Sequence, residues 1–392
     1  MQQSNDQSRS LVALEQDSTL IAVIEMSQSS WLVTAIVPGV TREPLKQLAP
    51  EPDLLRRQLQ RWGEQARKAG CPIKRVTVAF EAGRDGFWLA RWLRAREVEA
   101  HVIHPTSVAV SREHRRAKTD RLDLRLLRRA FLGWLRGEAA DCRMAAVPSL
   151  QAEDARRPSR ERETLAGETT RIVNRLKGAL ARLGIRGFKP TLRGAAARLA
   201  ELRTPEGAPV PANSLAELRR DMARLRLVKE QIKEIEAARL ERLERAPASE
   251  PHAMVRLLAR VHGLGIETAD MLVHEVLTRR LRDRRAVARF AGLTGSPDES
   301  GKRRREQGLA RAGSARVRRG MIQLAWRFLM FQKDSELAKW FATRTQNTKG
   351  ARKTMIVALA RKLLIALWRL ATTGVVPAGV VLRAEPHAAG QA

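Results

Sequence analysis

No tyrosine occurs anywhere in the 392 residues, which removes any chemistry that needs a tyrosine nucleophile. Cysteine is nearly as scarce. Cys71 and Cys142 alone imply no disulfide framework and cannot build a cysteine-rich zinc site. The seven histidines show no metal-ligand spacing. Uninterrupted apolar runs are missing too: the most apolar late stretch, "TMIVALARKLLIALWRLATTGVVPAGVVL", carries Arg361, Lys362 and Arg369, against a membrane span. The opening "MQQSNDQSRS" lacks the basic and apolar regions of a signal peptide, so a cytoplasmic chain is expected. Acidic residues are few, 42 against 73 Lys and Arg, which leaves a net charge of +31. Charge of that size repels itself unless a polyanion neutralises it. Nucleic acid is therefore the expected partner, ahead of an anionic membrane.

The chain is long enough for two or three domains. Residues 1–17 are polar and read as disordered. Over 18–145, "TLIAVIEMSQSSWLVTAIV" predicts a strand, a turn and a strand, and "EPDLLRRQLQRWGEQARKAG" predicts a helix that stops at glycine. "PIKRVTVAFEAG" and "REVEAHVIHP" predict further strands, and the stretch from Ser107 to Arg136 turns helical on Leu122, Leu126, Leu127 and Phe131. Strands alternating with helices indicate an α/β domain with a mixed sheet. Residues 146–250 form a helical spacer without a strand. There Leu215, Leu218, Met222, Leu225, Val228, Ile232 and Ile235 recur every three or four residues. That stripe suits an antiparallel or intermolecular coiled coil, or one long helix in a bundle. The segment "RTPEGAPVPANS" splits the spacer into two arms. A compact all-α domain is expected over 251–373, followed by a loose tail over 374–392.

Four carboxylates in the first domain stand where metal chemistry would use them. Glu25 ends the first predicted strand and Glu81 ends the "VTVAF" strand, while Asp120 and Asp123 lie three apart on one face of a helix. Four carboxylates converging would repel one another unless divalent cations bind. Oxygen ligands of this kind suit two Mg²⁺ ions, or Mn²⁺, held about 3.5–4 Å apart. The alternative is that Asp120 and Asp123 pair with Arg116, Arg121 or Arg125 on a solvated helix.

In the last domain, Gly263 and Gly265 in "VHGLGIETADMLVHEV" resemble the turn of a helix-hairpin-helix, which lets backbone N–H groups approach a phosphate. From Asp298 to Arg319 there are eight Lys or Arg and three acids, interrupted by Gly301, Gly308 and Gly313. A basic, glycine-containing loop wrapping a phosphate backbone accounts for that composition. Its candidate contacts are Lys302, Arg303, Arg304, Arg305, Arg311, Arg316, Arg318 and Arg319. Arg116 and Lys118 are candidates in the first domain.

The order of acids on strand, strand and helix, carried by "IAVIEMSQ", "VAFEAGRDGFWLARWL" and "AKTDRLDLRLL", resembles the DEDD insertion-sequence transposases related to the Piv DNA invertase. The resemblance implies a RuvC-like first domain with an RNase H fold. Metal would be held there by Glu25, Glu81, Asp120 and Asp123. The family has aspartate at the first position. Glu25 departs from it by one methylene, roughly a bond length of carboxylate displacement. The likeness continues in "GLTGSPDESGKRRREQGLARAGSARVRRGMIQLAW", where Ser300-Gly301-Lys302-Arg303 fits the family's nucleophilic serine; Ser296 and Ser314 are the fallback positions. By resemblance, the protein recombines DNA through a phosphoserine link. It would assemble as a dimer or tetramer through the spacer and be guided by a structured RNA from the element's own noncoding end.

Two rival readings stay open on the residues alone. A junction nuclease of RNase H-like fold would use the same carboxylates with water as nucleophile. A nucleic-acid-binding protein without catalysis would need only the charge.

Overall fold

The computed structural model describes residues 10, 12–81, 83, 86–104, 107–108, 119–138, 142–246, 250–300, 303–310, 312–346 and 351–384. Over 297–300, 303–307 and at 351 it describes the backbone alone. The β-branched run Thr19–Met26 (β1) and Trp31–Ile36 (β2) pair antiparallel, with Glu25 opposite Leu32. Leu45–Leu48 (β3) extends that edge. Pro52–Lys68 (α1) buries Leu55, Leu59, Trp62 and Ala66 at helical spacing and stops before Gly70, whose φ of 84° suits glycine. Arg75–Glu81 (β4) then lies parallel beside β1. Trp88–Arg94 (α2) leads to Glu99–Ile103 (β5), which is parallel to β4. Asp120–Leu135 (α3) precedes the short antiparallel edge Met144–Ala145 (β6). The strand order is β3-β2-β1-β4-β5-β6.

Alternate residues of this sheet bury in opposite directions. Leu20, Ala22, Ile24, Val78 and Phe80 pack with Leu55, Trp62, Leu89 and Leu93 of α1 and α2. Ile21, Val23, Ala79 and Ile103 pack with Leu124, Leu127 and Phe131 of α3. Burial on both faces is why β1 and β4 read as continuous apolar runs and not as alternating ones. A mixed sheet covered by helices is consistent with the expected RNase H-like domain. Within the stretch read as disordered, the Ser10 N–H donates to the Trp134 carbonyl at 3.0 Å, and Leu14 packs against the α3 face.

The spacer comprises Leu150–Asp154 (α4), Arg157–Arg182 (α5), Ala195–Arg198 (α6) and Ala212–Arg245 (α7). Arg162 meets Glu236 while Arg175 meets Asp221, so α5 and α7 run antiparallel. Their apolar faces join Ile172, Leu176 and Leu180 to Leu218, Leu225 and Val228, with Leu215, Met222 and Ile232 partly buried alongside. Most of the apolar stripe of α7 is thus covered within the chain. Asp221, 3% exposed, accepts from Arg175 Nε and Nη2 at 2.7 Å each and from Arg224 at 2.8 Å. Arg175 first, then Arg224, holds this carboxyl below its ordinary 3.8, against the opposing effect of burial. A depressed folded pKa gives stability that is complete above 3.8 and lost as pH falls through the lowered value. The melting-temperature gap between wild type and Asp221→Asn is therefore expected to be widest above that pH and to close below it. A gap unchanged down to about pH 2 would show that the carboxylate does not clamp the pair.

The remainder contains Glu250–Ala259 (α8) and Ile266–Leu272 (α9), which runs into a π-helical turn, Val273–Leu277. Then come Arg284–Phe290 (α10), Gly295–Ser300 (β7), Arg303–Leu309 (β8), Ala315–Phe331 (α11), Glu336–Thr345 (α12) and Ala351–Thr373 (α13). Here the structure departs from the all-helical expectation. The basic loop is a β-hairpin, whose register sets Asp298 opposite Arg305 and Glu299 opposite Arg304. The chain divides into two compact units, Met1–Gln151 with Arg279–Ser314, and Ala152–Thr278 with Ala315–Ala392. Among the described residues no helix is long and apolar enough to cross a membrane.

Candidate active site and nucleic-acid interface

The register of β1 and β4 places two of the four carboxylates. Thr19 pairs with Arg75 and Ile24 with Phe80, so the next step along both strands sets Glu25 beside Glu81. Neighbours in a parallel ladder project to the same side. Alternation from Ile21, Val23 and Ala79 assigns that side to the α3 face. Both glutamates are half-buried.

The direction of α3 places the aspartates. Its last residue, Leu135, and the following Arg136 and Gly137 share a cavity with Leu14 and Gln16, which lead into the start of β1. Hence α3 runs opposite to β1. Sixteen helical residues span about 24 Å and eight strand residues about 26 Å, so the first turn of α3 lies toward the strand end that carries Glu25 and Glu81. Thr119 caps that turn by accepting from the Leu122 N–H at 3.3 Å, with Asp120 exposed and Asp123 half-buried in it.

Neither aspartate makes an ion pair among the described residues, so pairing with Arg121 or Arg125 is not realised; Arg116 lies outside them. Their place in the first turn supplies another structural role, since acids there oppose the helix dipole by about 0.3–1 kcal/mol each. The donor set is chemically right for a hard divalent cation, and all four members stand toward one end of one sheet. Their convergence is incomplete. Among the described residues, no three of His, Cys, Asp and Glu come close enough to hold a metal ion.

Ser300 is the last residue of β7, paired with Arg303. The base of the hairpin is pinned by Ala310 N–H to Thr294 carbonyl at 2.9 Å and Ser314 N–H to Phe290 carbonyl at 2.7 Å. Gly313 is obligatory there. With φ of 84°, any Cβ would lie 2.5 Å from the Arg289 carbonyl oxygen and the Gly292 nitrogen. The hairpin belongs to the same compact unit as the α/β domain. Arg303, Arg304 and Arg305 lie on β8, whereas Lys302, Arg311, Arg116 and Lys118 fall outside the described residues.

Several expected phosphate contacts are engaged internally. Arg316 donates to Glu163 at 2.6 Å and to the Ser159 carbonyl at 3.3 Å, and Arg319 reaches Glu163 at 2.9 Å. Arg318 also sits on α11. Gly263, at φ of 92°, is required because a Cβ would meet Phe331 at 2.8 Å. The turn it belongs to is strapped by the chain after α13. His262 N–H donates to the Val381 carbonyl at 3.1 Å, and the Gln332 amide donates to the His262 carbonyl at 2.8 Å. The tail read as loose is therefore held at Val381 and Arg383. Gly265, with open space around it, precedes α9. What the sequence reading missed is this internal demand on glycine and arginine, which no local pattern reveals.

Comparisons with known proteins give the family. The model of the family described as "Transposase IS116/IS110/IS902 family" matches residues 255–340. A second, described as "Transposase" and of the DEDD IS110 type, matches residues 52–185. A relative from Sinorhizobium fredii named "Putative transposase y4rJ" is 40% identical over 393 residues, which cover 97% of this chain and 99% of the relative. With that identity along nearly the whole of both chains, this protein belongs to the IS116/IS110/IS902 family of transposases.

Proposed function

We propose that this transposase cleaves and rejoins DNA through a serine-linked intermediate that depends on divalent metal. The observation that carries the reading is the pair Glu25 and Glu81, side by side at the ends of adjacent parallel strands, with the acidic first turn of α3 toward the same end. That strand end and the Ser300 hairpin belong to one compact unit, which further supports it. Glu25, Glu81, Asp120 and Asp123 would hold two Mg²⁺ or Mn²⁺ ions. Such ions, when bound, stabilise the attacking and leaving oxygens of a phosphodiester.

The protein's own part is nucleophilic and positional. Ser300 Oγ attacks phosphorus, the phosphorus–oxygen bond to one DNA strand breaks, and the serine proton ends on the released DNA oxygen. A hydroxyl of the incoming strand then attacks the phosphoserine and restores the serine, so no phosphodiester energy is lost. Arg303, Arg304 and Arg305 supply positive charge for the developing negative charge. A structured RNA from the element would choose the DNA by base pairing, and copies of the chain would act as a dimer or tetramer.

The test is a covalent-adduct assay with chain co-expressed with the element's flanking noncoding DNA, Mg²⁺ and labelled junction DNA. Wild type is expected to retain label through denaturation on Ser300, Ser300→Ala to retain none, and chain lacking the noncoding DNA to form little. Nicked DNA without an adduct would instead identify water as the nucleophile. Binding with neither product would make this copy a non-catalytic binder.

A further inference from the structure

The α5–α7 helix pair ends in a connection whose charge differs from that of its shaft. From Arg182 to Arg203 there are six Lys or Arg and one acid, Glu201, whereas α7 has nine against seven. Along the shaft, Arg162, Arg175 and Arg224 are held by carboxylates. At the tip, Arg186, Lys189, Arg193 and Arg198 are exposed and make no ion pair among the described residues. Among the described residues, no carboxylate pairs with them to offset their mutual repulsion.

The backbone between them is open. Gly184 has a packing reason, because a Cβ there would meet Pro205 at 2.4 Å. Gly187 and Gly194 have none: both have positive φ, and a Cβ on either would meet nothing within 4 Å. Such positions allow close approach of a ligand to the main chain. Arg186, Lys189 and Arg198 line a recess of about 340 Å³ together with Gly187.

We infer that this tip is a DNA-contacting surface in its own right, which grips the phosphate backbone of duplex DNA without reading its sequence. The inference rests on the protein's acting on DNA. Duplex is favoured over single strands because the tip offers cations without a stacking platform; its one aromatic residue, Phe188, packs against the core of the helix pair. Helix α5, at 26 residues, is about 39 Å long. DNA at the tip is thus held about eleven base pairs' length from the base of the arm, at about 3.4 Å per pair.

The test measures binding of the full chain to a random-sequence duplex by fluorescence anisotropy across a salt series, without Mg²⁺. Two variants are compared with wild type: Arg186→Ala/Lys189→Ala/Arg193→Ala at the tip and Lys177→Ala/Lys233→Ala/Arg242→Ala on the shaft. Each lost phosphate contact lowers the slope of log K against log salt by about 0.9, so the tip variant is expected to lose about 2–3 and the shaft variant less than one. All six replaced cations are exposed, so unchanged circular dichroism is expected and is checked. Equal slopes for wild type and the tip variant would overturn the inference, as would an equal loss in the shaft variant. A loss seen with duplex RNA and not with DNA would also overturn it. Failure of the serine mechanism is read separately, in the covalent-adduct assay, because salt-dependent binding without Mg²⁺ involves no cleavage.

Discussion

Glu81→Gln is expected to bind duplex DNA as wild type does and to cleave it on the order of 10²–10³-fold more slowly, the loss seen when one preorganised charge-stabilising group is removed. The substitution keeps the length and shape of the side chain and removes its charge. It sits at the last position of β4, where the strand backbone is paired to β5 through Ile103, so the fold has no reason to change. Glu25→Gln, one strand over, is expected to behave alike. The measurement is single-turnover cleavage at saturating protein, with affinity determined beside it. A variant as fast as wild type would remove the strand-end pair from the chemistry. Asp120 and Asp123 would then be left with their place in the first turn of α3 as the reason for their charge.

Glu275→Ala is expected to destabilise Ala152–Thr278 with Ala315–Ala392 by about 3 kcal/mol, near the low end for breaking a buried pair. Glu275 lies on the π-helical turn, 5% exposed, and accepts from Arg160 Nε at 2.7 Å and Nη2 at 3.0 Å. Arg316 Nε is 3.9 Å away, and Arg156 Nε donates to the neighbouring His274 carbonyl. Alanine would leave these guanidiniums facing one another across a cavity. The low end applies because Arg160 is 43% exposed and can recover some hydration. The thermal midpoint should fall by roughly 6–12 °C. A double Glu275→Met/Arg160→Met chain should recover most of the loss, since apolar replacement of a whole buried pair is near neutral. A shift of less than about 1 °C in Glu275→Ala would show that the pair is solvated and contributes nothing.

Arg239, a buried cation, joins α7 to α9 through Glu267 and through Asp270 at 3.2 Å. With Arg162 bonded to both Glu236 and Glu267, the antiparallel arm is fastened to the helices it springs from by charge as well as by apolar packing. The apolar stripe on α7 was visible in the sequence, with antiparallel pairing as one of several arrangements it suited. Arginines that read as a polyanion-binding excess turn out in several cases to be these fasteners.

By itself, the sequence determined β1, β2, β4, β5, α1 and α3 of the first domain, because β-branched runs buried on both faces and helical apolar spacing are local signals, but it did not show the short β3, α2 and β6. It also determined the acids on strand, strand and helix, the scarcity of chemistry based on cysteine and tyrosine, and a surplus of charge that needs a polyanion. Only the tertiary structure decided how those charges are placed. Glu25 stands beside Glu81 because two strands paired 56 residues apart, Thr19 with Arg75, lie in parallel register, and the aspartates join their end of the sheet because α3 runs back along β1. Arg316 is internal and Arg186 is exposed for the same kind of reason: a long-range carboxylate at Glu163 meets the first, and among the described residues none meets the second. Pairing between residues far apart depends on the three-dimensional path of the chain, and no window of sequence contains it.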